Sequence, residues 1–144
     1  MTTLTPLALL AGRILIVGIF IYDATVILSG WDASVRYVER FGVPAAALPL
    51  AVTLQLVGGV MVALGVLTRL TALAFVGFCV MTAMVFHNNL ANAGEVLHFG
   101  KDLALAGGFL FLVANGAGAW SVDARMGWEW GPWWARHARI GSGG

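Results

Sequence analysis

Residues 54–87 form an almost continuous apolar run in which Arg69 is the only charged side chain. The run is too long for one membrane-spanning helix, which takes about 20 residues. Because Thr68 and Arg69 interrupt it near the middle, the pattern predicts two apolar helices joined by a short turn at residues 67–70. A turn this short makes the two helices antiparallel neighbours. Two adjacent helices of this kind indicate a protein embedded in a lipid bilayer.

The composition supports a membrane location. Of the 144 residues, 60% are hydrophobic and 10% are charged, whereas soluble domains carry about 25% charged residues. Spanning segments must be helices or closed barrels because lipid cannot satisfy backbone polar groups, and continuous apolar runs exclude a barrel. The expected fold is therefore all-α, a four-helix transmembrane bundle forming a single domain over residues 1–144. The predicted spans are residues 7–30, 44–67, 70–88 and 101–118, followed by a Trp-rich interfacial tail at residues 119–144.

Net charge and cysteine content exclude several classes of function. A formal net charge of +1 provides no basic field for a nucleic acid. The lone Cys79 excludes an intrachain disulfide and a CxxC redox pair. The sequence also contains no haem ligand pair, flavin motif or nucleotide-binding loop. We therefore expect no covalently bound cofactor, and any redox cofactor is a diffusible quinone or belongs to a partner subunit.

The distribution of basic residues favours one orientation in the membrane. Five arginines fall on the side shared by both predicted termini, and three basic residues fall on the other side. The positive-inside rule then predicts both termini in the cytoplasm, with residues 31–43 and 87–100 on the outer side. Arg13 is expected to extend to the cytoplasmic headgroups as an anchor. The Trp-rich tail is expected to lie on the same membrane surface or, alternatively, to dock a partner subunit.

Two polar residues inside the predicted spans require an explanation. Asp23 lies ten residues from Arg13, about 15 Å along a helix axis, so it needs a partner on another helix or it is protonated. Gln55 lies near mid-membrane on a stripe of small residues, where its amide can bond across the bundle or contact a quinone carbonyl. An ionisable residue within a span is a functional-site hypothesis by default. A purely structural polar contact is the alternative for both residues.

The outer end of the predicted bundle gathers the other candidates. His87 ends the third span, and Glu95 and His98 are three residues apart, so they share a face if that stretch is helical. Lys101 and Asp102 begin the fourth span. Such a cluster can relay protons, hold a quinol headgroup or bind a metal, and ordinary interfacial hydrogen bonding is the alternative. Quinol oxidation requires a base near the hydroxyl, which a histidine or carboxylate supplies.

A metal site has weaker support. Glu95 and His98 supply one Glu-x-x-His motif, whereas a di-iron site takes two such motifs and two further carboxylates. Met81, Met84 and His87 are spaced three residues apart, and thioether and imidazole groups suit copper. Methionine on an apolar helix more often fills gaps in packing. We therefore predict no metal site in this chain.

Three stretches together resemble the DoxX family of small four-helix membrane proteins. They are LQLVGGVMVALGVLTRL at residues 54–70, KDLALAGGFLF at 101–111 and GAGAWSVDA at 116–124, and the likeness extends over about residues 8–125. The resemblance implies a bundle in a bacterial or archaeal inner membrane. Members of the family include subunits of a thiosulfate:quinone oxidoreductase and proteins of oxidative-stress or thiol-redox complexes.

The chain departs from the family pattern at two positions. The family often has Glu where Gln55 stands here. It also often has Gly-x-x-Lys near the end of the first span, where residues 24–27 read ATVI. Asp23 is a local candidate for the role of the missing charged residue. Any chemistry that depends on those charged groups in relatives does not transfer directly to this chain.

The sequence thus predicts a multi-pass protein of the bacterial inner membrane, in contact with lipid and with partner subunits of a membrane complex. The first hypothesis is a subunit that supports quinone-linked redox chemistry. The alternative is a non-catalytic accessory subunit that docks a larger complex, and the third is a membrane protein handling small solutes or metals. The residues expected around a quinone headgroup are Asp23, Gln55, His87, His98, Lys101 and Asp102.

Overall fold

The computed structural model describes residues 4–128, which form helices joined by turns. Four of the helices are long and apolar enough to cross a membrane, which confirms the predicted all-α membrane bundle. In chain order the described helices are α1 Leu4–Ser29, α2 Trp31–Arg40, α3 Ala47–Leu64, α4 Thr68–Phe86, α5 Ala93–Asn115 and α6 Val122–Arg125.

Two segments between the predicted spans are helical. Helix α5 begins at Ala93 rather than near residue 101, because Asn92 caps its first turn by accepting a hydrogen bond of 2.9 Å from the Gly94 amide. Such a side-chain cap satisfies an amide that has no partner inside the helix. The link at residues 31–43 contains α2, whose charged residues alternate with apolar ones in a helical pattern. Both changes add ordered polar surface at one end of the bundle.

The bundle has an aromatic core and an apolar outer surface. Phe75 of α4 stacks on Phe109 of α5 with ring centroids 4.7 Å apart, and Phe20 of α1 lies 4.8 Å from Phe75. On the outside, Leu15 is 77% exposed and Phe111 is 74% exposed. An apolar surface of this extent suits lipid rather than water as the surrounding solvent.

Glycines allow α1 to pack closely against two neighbours. A Cβ on Gly108 of α5 would lie 2.7 Å from Ile16 Cδ1, and a Cβ on Gly59 of α3 would lie 3.1 Å from Ile21 Cγ1. Small residues let membrane helices approach in this way. Gly59 and Gly108 therefore serve helix packing.

One end of the bundle, here called the turn end, joins Arg13, residues 65–68 and residues 120–123. The Asp123 carboxylate accepts hydrogen bonds from the amides of Leu67 at 2.7 Å and Thr68 at 2.9 Å. It therefore caps the start of α4, where a negative charge is also favoured by the helix dipole. The Asp123 amide in turn donates to the Gly65 carbonyl at 2.8 Å.

The prediction that Arg13 anchors the chain in the lipid headgroups is wrong. Arg13 is fully buried, and its Nη2 donates a hydrogen bond to the carbonyl oxygen of Trp120. The guanidinium instead ties α1 to the segment before α6. Trp120 and Trp128 are exposed, and the rest of the predicted Trp-rich tail lies outside the described residues.

Candidate functional site

A cavity of about 840 Å³ lies at the end of the bundle opposite the turn end. All five helices from α1 to α5 contribute to its walls, and most of the lining side chains are apolar, including Phe20, Leu54 and Phe78. Ligand sites in proteins commonly have this size and this mixture of apolar walls with a few polar groups. The cavity is open at its surface, so a molecule can reach the polar groups inside.

The first polar pair joins α1 to α3. Gln55 Nε2 donates a hydrogen bond of 2.8 Å to Asp23 Oδ2, so Asp23 has a partner on another helix, which is one of the two alternatives predicted for it. Gln55 lies in a π-helical turn, Leu54–Gly58, within α3. Such turns occur often at functional sites. Gln55 is 1% exposed, whereas Asp23 is exposed, and both residues line the cavity.

The second polar group joins α4 to α5. Thr82 Oγ1 lies 3.0 Å from both Asp102 Oδ2 and the Cys79 carbonyl oxygen, so its hydroxyl can donate to either of them. Lys101 Nζ lies 3.5 Å from Asp102 Oδ1. Asp102 is buried, while Lys101 is exposed. A buried carboxylate needs such hydrogen bonds and a counter-charge to remain inside a bundle. All three side chains line the cavity.

The third polar group lies where α4 ends and α5 begins. His87 Nδ1 and Glu95 Oε2 are 2.7 Å apart, and the His98 ring stacks on the His87 ring with centroids 5.0 Å apart. Because an ionised carboxylate only accepts hydrogen bonds, His87 donates from Nδ1 to Glu95. This arrangement leaves Nε2 of His87 as a second site that can carry or accept a proton. His87 and His98 line the cavity.

Helix α2 covers part of the cavity with an aromatic contact. Tyr37 stacks on Phe86 of α4 with centroids 5.6 Å apart, and Phe41 lies 5.2 Å from each ring. Partial burial and the negative charge of Glu95 raise the pKa of the Tyr37 hydroxyl, because both disfavour the phenolate. Tyr37 therefore keeps its proton at neutral pH and can donate at the edge of the cavity.

All six residues predicted to form a site line this one cavity: Asp23, Gln55, His87, His98, Lys101 and Asp102. Three further polar side chains line the cavity and were not predicted: Ser34, Tyr37 and Thr82. Thr82 had no sequence signal beyond being a hydroxyl in an apolar span, and Tyr37 could have been noted as one of three aromatic residues in an amphipathic link. Of the methionines considered for copper, Met81 lines the cavity. Within residues 4–128, no group of three or more His, Cys, Asp or Glu side chains is arranged to hold a metal ion.

Comparison with known proteins decides the family. The sequence profile of the DoxX family matches residues 8–88. The chain belongs to the DoxX family. The matched segment contains most of α1 and all of α2 to α4, and therefore Asp23, Gln55 and His87. His98, Lys101 and Asp102 lie beyond it.

Two relatives from Escherichia coli strain K12 extend the similarity to more of this DoxX protein. Inner membrane protein YqjF is 38% identical over 130 residues, which cover 90% of this chain and 100% of YqjF. Inner membrane protein YphA is 32% identical over 127 residues, which cover 83% of this chain and 91% of YphA. Both are inner membrane proteins, in agreement with the location predicted from the sequence. No solved structure shows a significant match to the chain.

Proposed function

We propose that this DoxX protein binds the headgroup of a membrane quinone in the cavity between α1 and α5 and acts as the membrane subunit of a redox complex. The observation that carries the proposal is the convergence of six polar residues on one apolar-walled cavity. The six residues come from three polar groups: the Asp23–Gln55 pair, Asp102 with Lys101, and His87 with His98. The proposal assigns them the binding of the ring oxygens and the handling of protons.

The shape of the cavity supports a ligand with a flat polar head and a long apolar tail. Its walls include Phe20 and Phe78, which offer aromatic faces to a ring. Val26, Leu50 and Met81 line the cavity and are also exposed. An isoprenoid tail can therefore leave the cavity over apolar side chains and enter the bilayer without crossing polar surface.

The polar groups suit proton exchange with a quinone. Oxidation of a quinol to a quinone releases two electrons and two protons. In this proposal Asp102 and the His87–Glu95 pair accept the protons. The two electrons pass to a redox centre in a partner protein of the complex, since the chain itself offers no redox motif. Partner subunits are thus part of the proposal.

The proposed orientation places both termini in the cytoplasm and the cavity in the outer half of the membrane. It follows from the excess of arginine on the side of the termini. Protons released at the cavity would then leave toward the periplasm through the His87 and His98 end of the bundle. Release of protons on the periplasmic side would suit an enzyme that oxidises quinol.

Binding of a short-chain ubiquinone to the purified protein in lipid nanodiscs tests the proposal. Ala51 lines the cavity, so Ala51→Trp fills it with an indole, whereas Ala104 is exposed outside it and Ala104→Trp is the matched control. We expect titration calorimetry to show at least about tenfold weaker binding for Ala51→Trp, equal to about 1.4 kcal/mol, and unchanged binding for Ala104→Trp.

Two outcomes oppose the proposal. If wild-type protein binds no quinone, or if Ala51→Trp and wild type bind it equally, the cavity is not a quinone site. Co-purification of a stoichiometric partner without quinone binding would instead favour the accessory-subunit alternative. Gel filtration of each variant in detergent verifies that a lost signal does not come from aggregation.

A further inference from the structure

The hydroxyl of Thr82 lies between two hydrogen-bond acceptors and has one hydrogen to donate. Its Oγ1 is 3.0 Å from Asp102 Oδ2 on α5 and 3.0 Å from the carbonyl oxygen of Cys79, three residues earlier in α4. A hydroxyl has one donor and two acceptor lone pairs, and its hydrogen rotates about the C–O bond to suit its neighbours. The hydroxyl can therefore donate to either oxygen without any movement of the helices.

Asp102 is the residue for which this choice matters. Its side chain is buried, and a buried polar group left without a partner costs free energy. When the carboxylate is ionised, Thr82 donates to Oδ2 while Lys101 Nζ lies 3.5 Å from Oδ1. When Oδ2 carries a proton, its O–H donates to Thr82 Oγ1, and Thr82 turns its own hydrogen to the Cys79 carbonyl. Each protonation state of Asp102 thus has a hydrogen-bond partner inside the bundle.

The other carboxylate that lines the cavity has a partner of a different kind. Asp23 Oδ2 accepts a hydrogen bond from Gln55 Nε2, and the nitrogen of a side-chain amide only donates. To accept a hydrogen bond from a protonated Asp23, the buried amide would have to rotate by half a turn. A hydroxyl that serves both charge states therefore distinguishes Asp102 from Asp23.

From this contrast we infer that Thr82 is a positioning residue for proton exchange at Asp102. The inference rests on the proposed function, because it names the residue that supports Asp102 when the cavity accepts one of the two protons of a bound quinol. An O–H bond of the quinol breaks, and an O–H bond forms at Asp102 Oδ2. Thr82 then turns its hydrogen to the Cys79 carbonyl and accepts the new one. The second proton goes to the His87–Glu95 pair, and the two electrons go to the redox centre of the partner protein.

Other titratable groups near Asp102 stay in place when only Thr82 is changed. Those that line the same cavity are Asp23, Tyr37, His87, His98 and Lys101. The buried thiol of Cys79 on α4 also interacts with Asp102. Removal of an uncharged hydroxyl alters none of these charges, so a changed response of Asp102 reports the hydrogen bond itself.

Infrared spectroscopy tests the inference, because the C=O stretch of a protonated carboxyl group reports its hydrogen bonding. Spectra of the protein in lipid nanodiscs are recorded as the pH is lowered, and the Asp102 band is the one that Asp102→Asn removes. Thr82→Val keeps the shape of the side chain but removes the hydroxyl, so the Asp102 band should shift to higher wavenumber. Thr82→Ser retains a hydroxyl and should keep the wild-type band position.

Thr25→Val is the matched control. Thr25 Oγ1 donates to the carbonyl of Tyr22, three residues earlier, at 2.6 Å, which is the kind of bond that Thr82 can make to Cys79. Thr25 does not line the cavity, so its replacement should leave the Asp102 band unchanged. Thr82→Ala also lacks the hydroxyl and takes the place of Thr82→Val if that variant does not fold.

A second measurement includes the ligand. A short-chain quinol bound to each variant is oxidised with ferricyanide, a one-electron oxidant of which two ions take up the two electrons. The Asp102 band should appear on oxidation in wild type and Thr82→Ser, and most of its intensity should be lost in Thr82→Val.

The failure of this inference differs from the failure of the proposed function. An Asp102 band at the same position in wild type and Thr82→Val, or of equal intensity after oxidation, shows that Thr82 only bonds to its own helix and overturns the inference. Absence of an Asp102 band from wild type in both measurements overturns it as well. If wild type binds no quinol, the proposed function fails, and the spectra recorded as the pH is lowered still decide whether Thr82 serves both states of Asp102.

Discussion

Gly65 is the residue at which the turn end depends most on the absence of a side chain. Its φ of +74° lies in the left-handed region, which glycine adopts with little strain. A Cβ at this position would also overlap Arg13 Nη1 and Ser121 Cβ. The Gly65 carbonyl accepts a hydrogen bond from Asp123, so the backbone there cannot move without breaking the contact with the segment before α6.

We predict that Gly65→Ala destabilises the bundle by about 2–4 kcal/mol, because backbone strain and overlap add. Gly77 is the matched control, since it lies within α4 and a Cβ added there would have no atom within 4 Å apart from its chain neighbours and the backbone of its own helix. Gly77→Ala should be neutral or stabilise by up to about 1 kcal/mol. Unfolding in SDS–detergent mixtures, followed by circular dichroism, measures both. Equal stability of the two variants would contradict the role given to Gly65.

Polar residues within the spans show the limit of residue-level inference from the sequence. Asp23 and Gln55 could be recognised as candidates because polar groups inside a span are unusual. Arg13 was recognisable too, but its role was assigned wrongly, since a span position near a helix end permits either extension to the headgroups or a contact inside the bundle. Its contact with Trp120 joins positions 107 residues apart in the chain. No local pattern encodes a pairing over that distance.

At the scale of helices, α3 and α2 give the cavity its form. The π-helical turn Leu54–Gly58 interrupts the α-helical register of α3 and includes Gln55, which bonds to α1. Helix α2 provides the apolar and aromatic edge through Val38 and Tyr37. The sequence predicted a helix where α3 lies, but not the π turn within it. Residues 31–43 were predicted only as a link on the outer side, whereas the helix α2 within it contributes to the wall of the cavity.

We predict that the pKa of Tyr37 is above its ordinary value of 10.0 and that Glu95→Gln lowers it. Burial, the larger cause, and the charge of Glu95 both raise the pKa, and this substitution removes only the second cause. Carbon NMR of ring-labelled tyrosine across alkaline pH measures the titration, in a Tyr22→Phe background that leaves Tyr37 as the single tyrosine. Glu39→Gln, on the same helix as Tyr37, is the charge control. An unchanged or higher pKa in Glu95→Gln would contradict the assignment.

At the scale of the whole molecule, the bundle has two chemically different ends. The turn end is closed by Arg13, Gly65 and Asp123, which make hydrogen bonds to or from backbone groups there. The other end is open and contains the cavity with its titratable side chains. Because the chain has four spans, the start of α1 and the segment after α5 lie at the same end of the bundle. The cavity lies at the other end, so the function proposed for the chain belongs to one half of the membrane.

We predict that the cavity end faces the periplasm. In a Cys79→Ala background, Asn89→Cys lies in the turn before α5 and should react with a membrane-impermeant maleimide in intact cells. Ala119→Cys lies near the turn end and should react only after the cells are disrupted. Both positions are exposed, so the difference reports sidedness rather than burial. The reverse pattern of labelling would show that the positive-inside count gives the wrong orientation.

The order of residues along the chain was enough to predict four apolar helices and to single out six polar residues that need a common explanation. Helix length and hydropathy are local properties, so they can be obtained without knowledge of the packing. Only the folded bundle shows which polar groups are in contact: Gln55 with Asp23, Thr82 with Asp102, and Arg13 with Trp120. These contacts depend on the rotation of each helix about its axis. Packing of residues such as Phe75 and Phe109 sets that rotation, and packing involves positions far apart in the sequence.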